Sequence, residues 1–129
     1  MSEKFTVEII SPDRSILKTE TSEVVIPSYE GEMGILKDHI PLITFLRPGI
    51  LKIIGEKDKK YFVEEGTVEF SDNNLLILTS TAKEISKIDK DLLSSLISDA
   101  EKKIVTEKIT DKEKYLLTYK IDTLKNISQ

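Results

Sequence analysis

At 129 residues, 39% hydrophobic and 33% charged, the chain has the length of about one domain and enough apolar content for a core, which excludes a disordered tail. The absence of cysteine excludes disulfide frameworks, thiol nucleophiles and cysteine-ligated metals, and leaves the redox compartment open. A net charge of −4 offers no basic field for nucleic acid, and no apolar run approaches the ~20 residues of a membrane-spanning helix.

From residue 4 to about 85 the pattern is that of strands. Phe5, Val7 and Ile9 alternate with Thr6 and Glu8, and Pro12-Asp13 supplies a turn. Neither a signal-peptide core nor an Arg-rich transit peptide precedes this strand, so the protein is expected to work where it is made. Val24-Val25-Ile26 is expected to end at Pro27, and Leu42 to Leu46 forms another apolar run. Between them, Glu30 and Glu32 read as solvated residues of a hairpin tip. Ile50 to Ile54 and Tyr61-Phe62-Val63 flank a charged turn, and Thr67 to Phe70 pairs with Leu75 to Thr79 across Ser71-Asp72-Asn73-Asn74. Many short strands with polar turns predict an all-β sandwich or barrel.

The period changes near Ser86. Asp89 is placed to cap a helix, with Ile88 and Leu93 at the spacing of a hydrophobic staple. Leu93, Leu96, Ile97, Ala100 and Ile104 then recur on one helical face. Thr110-Asp111-Lys112-Glu113 has the form of a capping box and predicts a second helix burying Leu117, Ile121 and Leu124, flanked by Leu116 and Ile127. The short break implies an antiparallel hairpin. Residues 1–85 carry 10 basic and 15 acidic side chains against 9 and 8 in 86–129, so the acidic excess sits on the β half. The fold expected is therefore α+β by segregated halves, divided into 1–85 and 86–129. A hairpin of roughly 40 residues is at the lower limit of independent folding, so its apolar stripes must dock on the β half or on a partner.

No enzyme signature emerges. His39 is the single histidine, without a second histidine or a cysteine for a metal cluster, and neither a G-x-S-x-G turn, a Walker A loop nor a G-x-G-x-x-G stretch is present. Carboxylates are scattered, and Lys57, Lys59 and Lys60 interleave with acids in a loop, as in a solvated tip.

The stretch Glu30-Gly31-Glu32-Met33-Gly34-Ile35, continuing through His39-Ile40-Pro41-Leu42-Ile43-Thr44 to Leu46-Arg47-Pro48-Gly49, resembles the "EGE-x-GI…H-x-PL-x-T-x-L-x-PG" segment of the epsilon subunits of F-type ATP synthases. Phe5 to Pro12, Phe62-Val63 with Gly66 to Glu69, and Leu78-Thr79 with Thr81-Ala82 also fit, so the resemblance spans the chain. It implies an N-terminal β-sandwich of about ten strands followed by two helices. It further implies a non-catalytic rotor subunit of the central stalk, needing no cofactor or metal, that couples proton-driven rotation of the c-subunit ring to ATP synthesis.

Carried over by position, the resemblance assigns contact with the c ring to Glu30, Gly31, Glu32, Met33 and His39, with the glycines at 31 and 34 allowing a tight foot. Contact with the gamma subunit falls on the strand segments around Ser11 and Thr44. The hairpin of the family either folds on the sandwich or extends along gamma to the catalytic head, where it can block hydrolysis. Some members bind ATP through an "I/L-D-x-x-R-A" sequence. Here Ile88 and Asp89 match, but Leu92 replaces the arginine and Leu93 the alanine, so ATP binding is expected to be weak or absent. Lys102, Lys103, Lys108, Lys112 and Lys114 are candidates for inhibitory contacts, against the reading of solvated helix faces. The expected location is peripheral, on the cytoplasmic face of a bacterial inner membrane, with the plastid stroma the lesser alternative. The competing functional reading is a stand-alone β-sandwich interaction module whose helix pair recognises an unrelated protein.

Overall fold

The alternation of Phe5, Val7 and Ile9 turns one face of the first strand inward, and all three residues are buried. In the computed structural model, which describes residues 3–106 and 108–127, this strand (β1, Phe5–Ile10) is the first of ten among the described residues. The others are β2 (Ser15–Thr21), β3 (Glu23–Ser28), β4 (Gly31–Leu36), β5 (Leu42–Leu46), β6 (Gly49–Ile54), β7 (Lys59–Val63), β8 (Gly66–Ser71), β9 (Asn74–Leu78) and β10 (Lys83–Glu84). A single 3₁₀ turn at Ile85–Lys87 leads to the helices α1 (Lys90–Thr106) and α2 (Asp111–Ile127).

Hydrogen bonding follows the path β10-β7-β6-β3-β5-β8-β9-β1-β2, with β4 on the remaining edge of β3. All pairs are antiparallel except β1 with β9. One register pair, Ser28 with Leu46, links β3 to β5, and there the path doubles over. One layer is β4-β3-β6-β7-β10 and the other is β5-β8-β9-β1-β2. Their facing side chains, among them Ile26, Leu51 and Val63 from the first and Val7, Val68 and Ile77 from the second, form one closed apolar cluster. Phe5 meets Phe70 edge to face at 5.6 Å within it.

Both helix starts follow the local chemistry. The backbone N–H of Leu92 donates to Asp89 Oδ1 at 2.8 Å. In the second helix Glu113 N–H donates to Thr110 Oγ1 at 3.1 Å, and Thr110 N–H donates to Glu113 Oε1 at 3.2 Å, a reciprocal capping box. Leu93 near the start of α1 and Leu124 near the end of α2 share one cluster, so the helices run antiparallel. That cluster closes over Phe62 and Ile50 on the outer face of the first layer, which is why Phe62 is fully buried although its neighbours Tyr61 and Val63 point the other way. The hairpin is therefore folded against the sandwich.

Four strands depart from the sequence expectations. β3 does not stop at Pro27 but runs to Ser28, because that proline needs only its carbonyl, which accepts from Arg47 N–H at 2.9 Å. The region read as a tip at Glu32 is strand: β4 pairs along β3 from Glu23 opposite Leu36 to Ser28 opposite Gly31, and the turn is only Tyr29-Glu30. Gly31, at φ 116°, gives that turn its left-handed exit, whereas Gly34 lies inside the strand and serves no turn. β2 and the two-residue β10 complete the layers as edges.

Candidate functional site

The Tyr29-Glu30 turn is held by Ser28, whose Oγ donates to Gly31 O at 2.7 Å and accepts from Glu30 N–H at 3.2 Å. Glu30 is exposed at the tip. Glu32 points outward from β4 with one oxygen 4.0 Å from Lys52 Nζ, while Met33 turns inward and packs on the core. Ser11 closes the β1–β2 turn, its N–H donating to Arg14 O at 2.9 Å. Ser11 lines an open groove with Tyr29, Phe45, Leu78 and Lys112, so the β1–β2 turn, the Tyr29-Glu30 turn and the start of α2 share one end of the sandwich.

His39 lies at the other end. β4 separates the two turns by five residue steps, roughly 17 Å at ~3.3 Å per step. There Asp38 N–H donates to Asn73 Oδ1 at 2.7 Å and Asn73 Nδ2 donates back to Asp38 Oδ1 at 2.9 Å, locking the β4–β5 loop to the β8–β9 turn. Asp38 and Asn73 both take the left-handed backbone conformation that small polar residues tolerate. The His39 ring meets Phe70 edge-on at 5.9 Å, and its Nδ1 lies 2.7 Å from Ile40 O. Glu30, Gly31 and Glu32 are therefore close together, and His39 is not with them. β4, an edge strand, runs between the two groups, so a contact that includes both follows that edge.

Thr44 is buried, facing the core from β5, and what β5 shows outside is Ile43 and Phe45, 74% and 57% exposed. Next to them on the same face, β9 adds Leu78, 40% exposed. Among the described residues nothing covers this outer face of the second layer, whereas the hairpin covers the corresponding face of the first. Sequence reasoning missed Ile43 and Phe45, although the run Leu42-Ile43-Thr44-Phe45-Leu46 carries apolar residues at both parities. That pattern marks a strand destined to be covered on both faces.

Ile88 and Asp89 are committed locally: Ile88 packs into the hairpin cluster and the Asp89 carboxylate caps α1. Lys102, Lys103, Lys108, Lys112 and Lys114 are all exposed. Among the described residues no group of three or more metal-capable side chains gathers, and no helix is long and apolar enough to cross a membrane.

A family model for the β-sandwich domain of the ATP synthase delta/epsilon chain matches residues 4–85. The chain belongs to that family. The ATP synthase epsilon chain of Pelagibacter ubique is 51% identical over 130 residues, covering 99% of this chain and all of the relative. That of Desulfitobacterium hafniense (strain Y51) is 39% identical over 92 residues, 70% of each chain. Among solved structures, a chain of the Euglena gracilis mitochondrial ATP synthase (OSCP/F1/c-ring) aligns with a TM-score of 0.81 at 23% identity, over 98% of this chain and 82% of that one. A chain of the Tetrahymena thermophila mitochondrial central stalk/c-ring assembly aligns at 0.72 and 17% identity, over 99% and 98%. The family model covers the sandwich, and the structural likenesses extend the shared fold through both helices of this epsilon-type chain.

Proposed function

We propose that this chain is the non-catalytic central-stalk subunit of an F-type ATP synthase, coupling rotation of the c ring to ATP synthesis in the catalytic head. The end-to-end correspondence with a relative named as an epsilon chain carries this reading. The scattered carboxylates, the lone histidine and the absence of a metal-capable cluster among the described residues are compatible with a subunit that has no catalytic residues of its own.

The uncovered apolar face suits the gamma subunit. Ile43, Phe45 and Leu78 supply a hydrophobic centre, and burying Ile43 and Phe45 would contribute about 1.5–3 kcal/mol each. Ser11 borders that face at the groove, and Thr44 acts by holding β5 from within. The c ring is assigned to the end carrying Glu30, Gly31 and Glu32, where carboxylates on a short, hydrogen-bonded turn can meet basic and polar loops. His39, in the lock at the far end of the edge strand β4, extends the same assignment along that edge. The subunit then sits peripherally at the cytoplasmic face of a bacterial inner membrane. With Asp89 engaged as a cap and Leu92 in place of an arginine, ATP binding at the hairpin start is expected to be weak or absent.

Co-purification tests the gamma assignment. The intact chain is expected to hold the gamma subunit, and Ile43→Asp with Phe45→Asp is expected to lose it while the sandwich stays folded. Retention of gamma by the folded double variant would remove this face as the interface. A lone monomer that never binds gamma would favour the stand-alone module.

A further inference from the structure

The β4–β5 loop crosses from the first layer to the second, and two side chains pin it as it crosses. Asp38 and Asn73, 35 residues apart, exchange the two hydrogen bonds of the lock at 2.7 and 2.9 Å. With Asp72 they are the non-glycine residues of positive φ among the described residues, at 65°, 60° and 50°. Glycine would adopt these backbones with less strain. It could not supply the side-chain pair, so backbone geometry alone does not account for the residues present.

The lock is anchored on both sides. Asn73 O accepts from Thr6 N–H at 3.1 Å at the start of β1, and Asn74 Nδ2 donates to Asp72 O at 3.0 Å across the turn. Beyond Asp38, His39 N–H donates to Leu36 O at 3.1 Å and closes the loop on β4. The His39 side chain is half-buried, its ring T-shaped to Phe70 at 5.9 Å. Its Nδ1 lies 2.7 Å from Ile40 O, and a carbonyl only accepts, so Nδ1 carries the proton. In the neutral ring Nε2 is then an acceptor, and it has no hydrogen bond among the described residues.

We infer that Asn73 is a positioning residue for His39: the lock fixes the loop so that one acceptor, Nε2, meets a hydrogen-bond donor of the partner on the β4 edge. A free loop would have to be ordered at the moment of contact, and the lock removes that cost. Asn73 itself touches only this chain. The donor is a polar or basic group of a c-subunit loop, a step that rests on the assignment of that edge to the c ring.

The first test is the ¹⁵N spectrum of His39 in the free full chain, which is unambiguous because the chain has a single histidine. The parent is expected to show a neutral ring protonated at Nδ1. Asn73→Asp sets two carboxylates together and removes the amide donor, and should give a mixture of tautomers. Asp38→Asn with Asn73→Asp exchanges donor and acceptor and should restore the parent spectrum. Amide exchange in β1 and β9 verifies that each variant keeps the sandwich.

The second test is the concentration of chain that half-restores ATP-driven proton pumping in membranes whose synthase lacks its epsilon subunit. Asn73→Asp should raise it about fivefold, the weight of one hydrogen bond, and the exchanged pair should return it to the parent value. His39→Ala should raise it as much, and adding Asn73→Asp to it should raise it no further, because the lock acts through the ring. An unchanged ring in Asn73→Asp, or effects that multiply with those of His39→Ala, would overturn the positioning role. Failure of the parent to restore pumping would instead overturn the rotor reading and its c-ring donor, and the spectrum would still decide the lock.

Discussion

Tyr61 faces the sandwich core from β7, opposite Glu84 of β10. Burial pushes its phenol above the ordinary value of 10.0, and the neighbouring Glu84 carboxylate adds to the effect. In the unfolded chain the phenol ionises near pH ~10. In the folded chain it stays neutral to higher pH, so its contribution to stability is complete below that point. The contribution falls as the pH climbs through the raised folded value. Urea unfolding at increasing pH should therefore show a steeper alkaline loss for the parent than for Tyr61→Phe; parallel curves would rule this out. Gly49 illustrates a second constraint. A Cβ there would meet Pro27 Cβ at 2.5 Å, where the β5–β6 corner crosses β3. Gly49→Ala is expected to cost about 1–3 kcal/mol in equilibrium unfolding, since neither backbone can yield freely.

At the scale of elements, the helix starts are chemical devices that can be removed singly. Thr110→Ala deletes the acceptor for Glu113 N–H while keeping the backbone N–H that Glu113 Oε1 accepts, and should cost about 1 kcal/mol, read as faster amide exchange in the first turn of α2 with α1 unchanged. These caps were legible in the sequence because their partners lie three residues apart. Most strands were legible for the same local reason: alternation in β1 and paired runs at β6–β7 and β8–β9. β2 was not, because Lys18, Thr19 and Glu20 give an edge strand no apolar period. β4 hid behind two glycines and an acid that read as turn chemistry, yet its pairing with β3 overrides that local preference. This one misreading also joined Glu32 and His39 into a single loop, and only the strand between them separates the two turns. The direction of Thr44 was equally illegible, since apolar residues on both faces of β5 leave its inward side undecided.

At the scale of the whole molecule, the two layers are treated differently: the hairpin covers one outer face and, among the described residues, nothing covers the other. Removing the hairpin after Ser86 should leave a folded sandwich, because the core cluster contains no helix residue. It should nevertheless be weakened by about 1.5–3 kcal/mol as Phe62 becomes exposed, measured by urea unfolding. In the assembled enzyme the truncated chain is expected to retain synthesis, and any rise in ATP hydrolysis would measure the restraint exerted by the hairpin. We propose that this chain transmits torque through the bare face bearing Ile43 and Phe45. Its most direct test is ATP-driven proton pumping by membranes whose synthase lacks its epsilon subunit, supplied with this chain or with the Ile43→Asp, Phe45→Asp variant. The parent chain is expected to restore pumping and the folded variant is not; equal restoration by both, or none by the parent, would contradict torque transmission through that face.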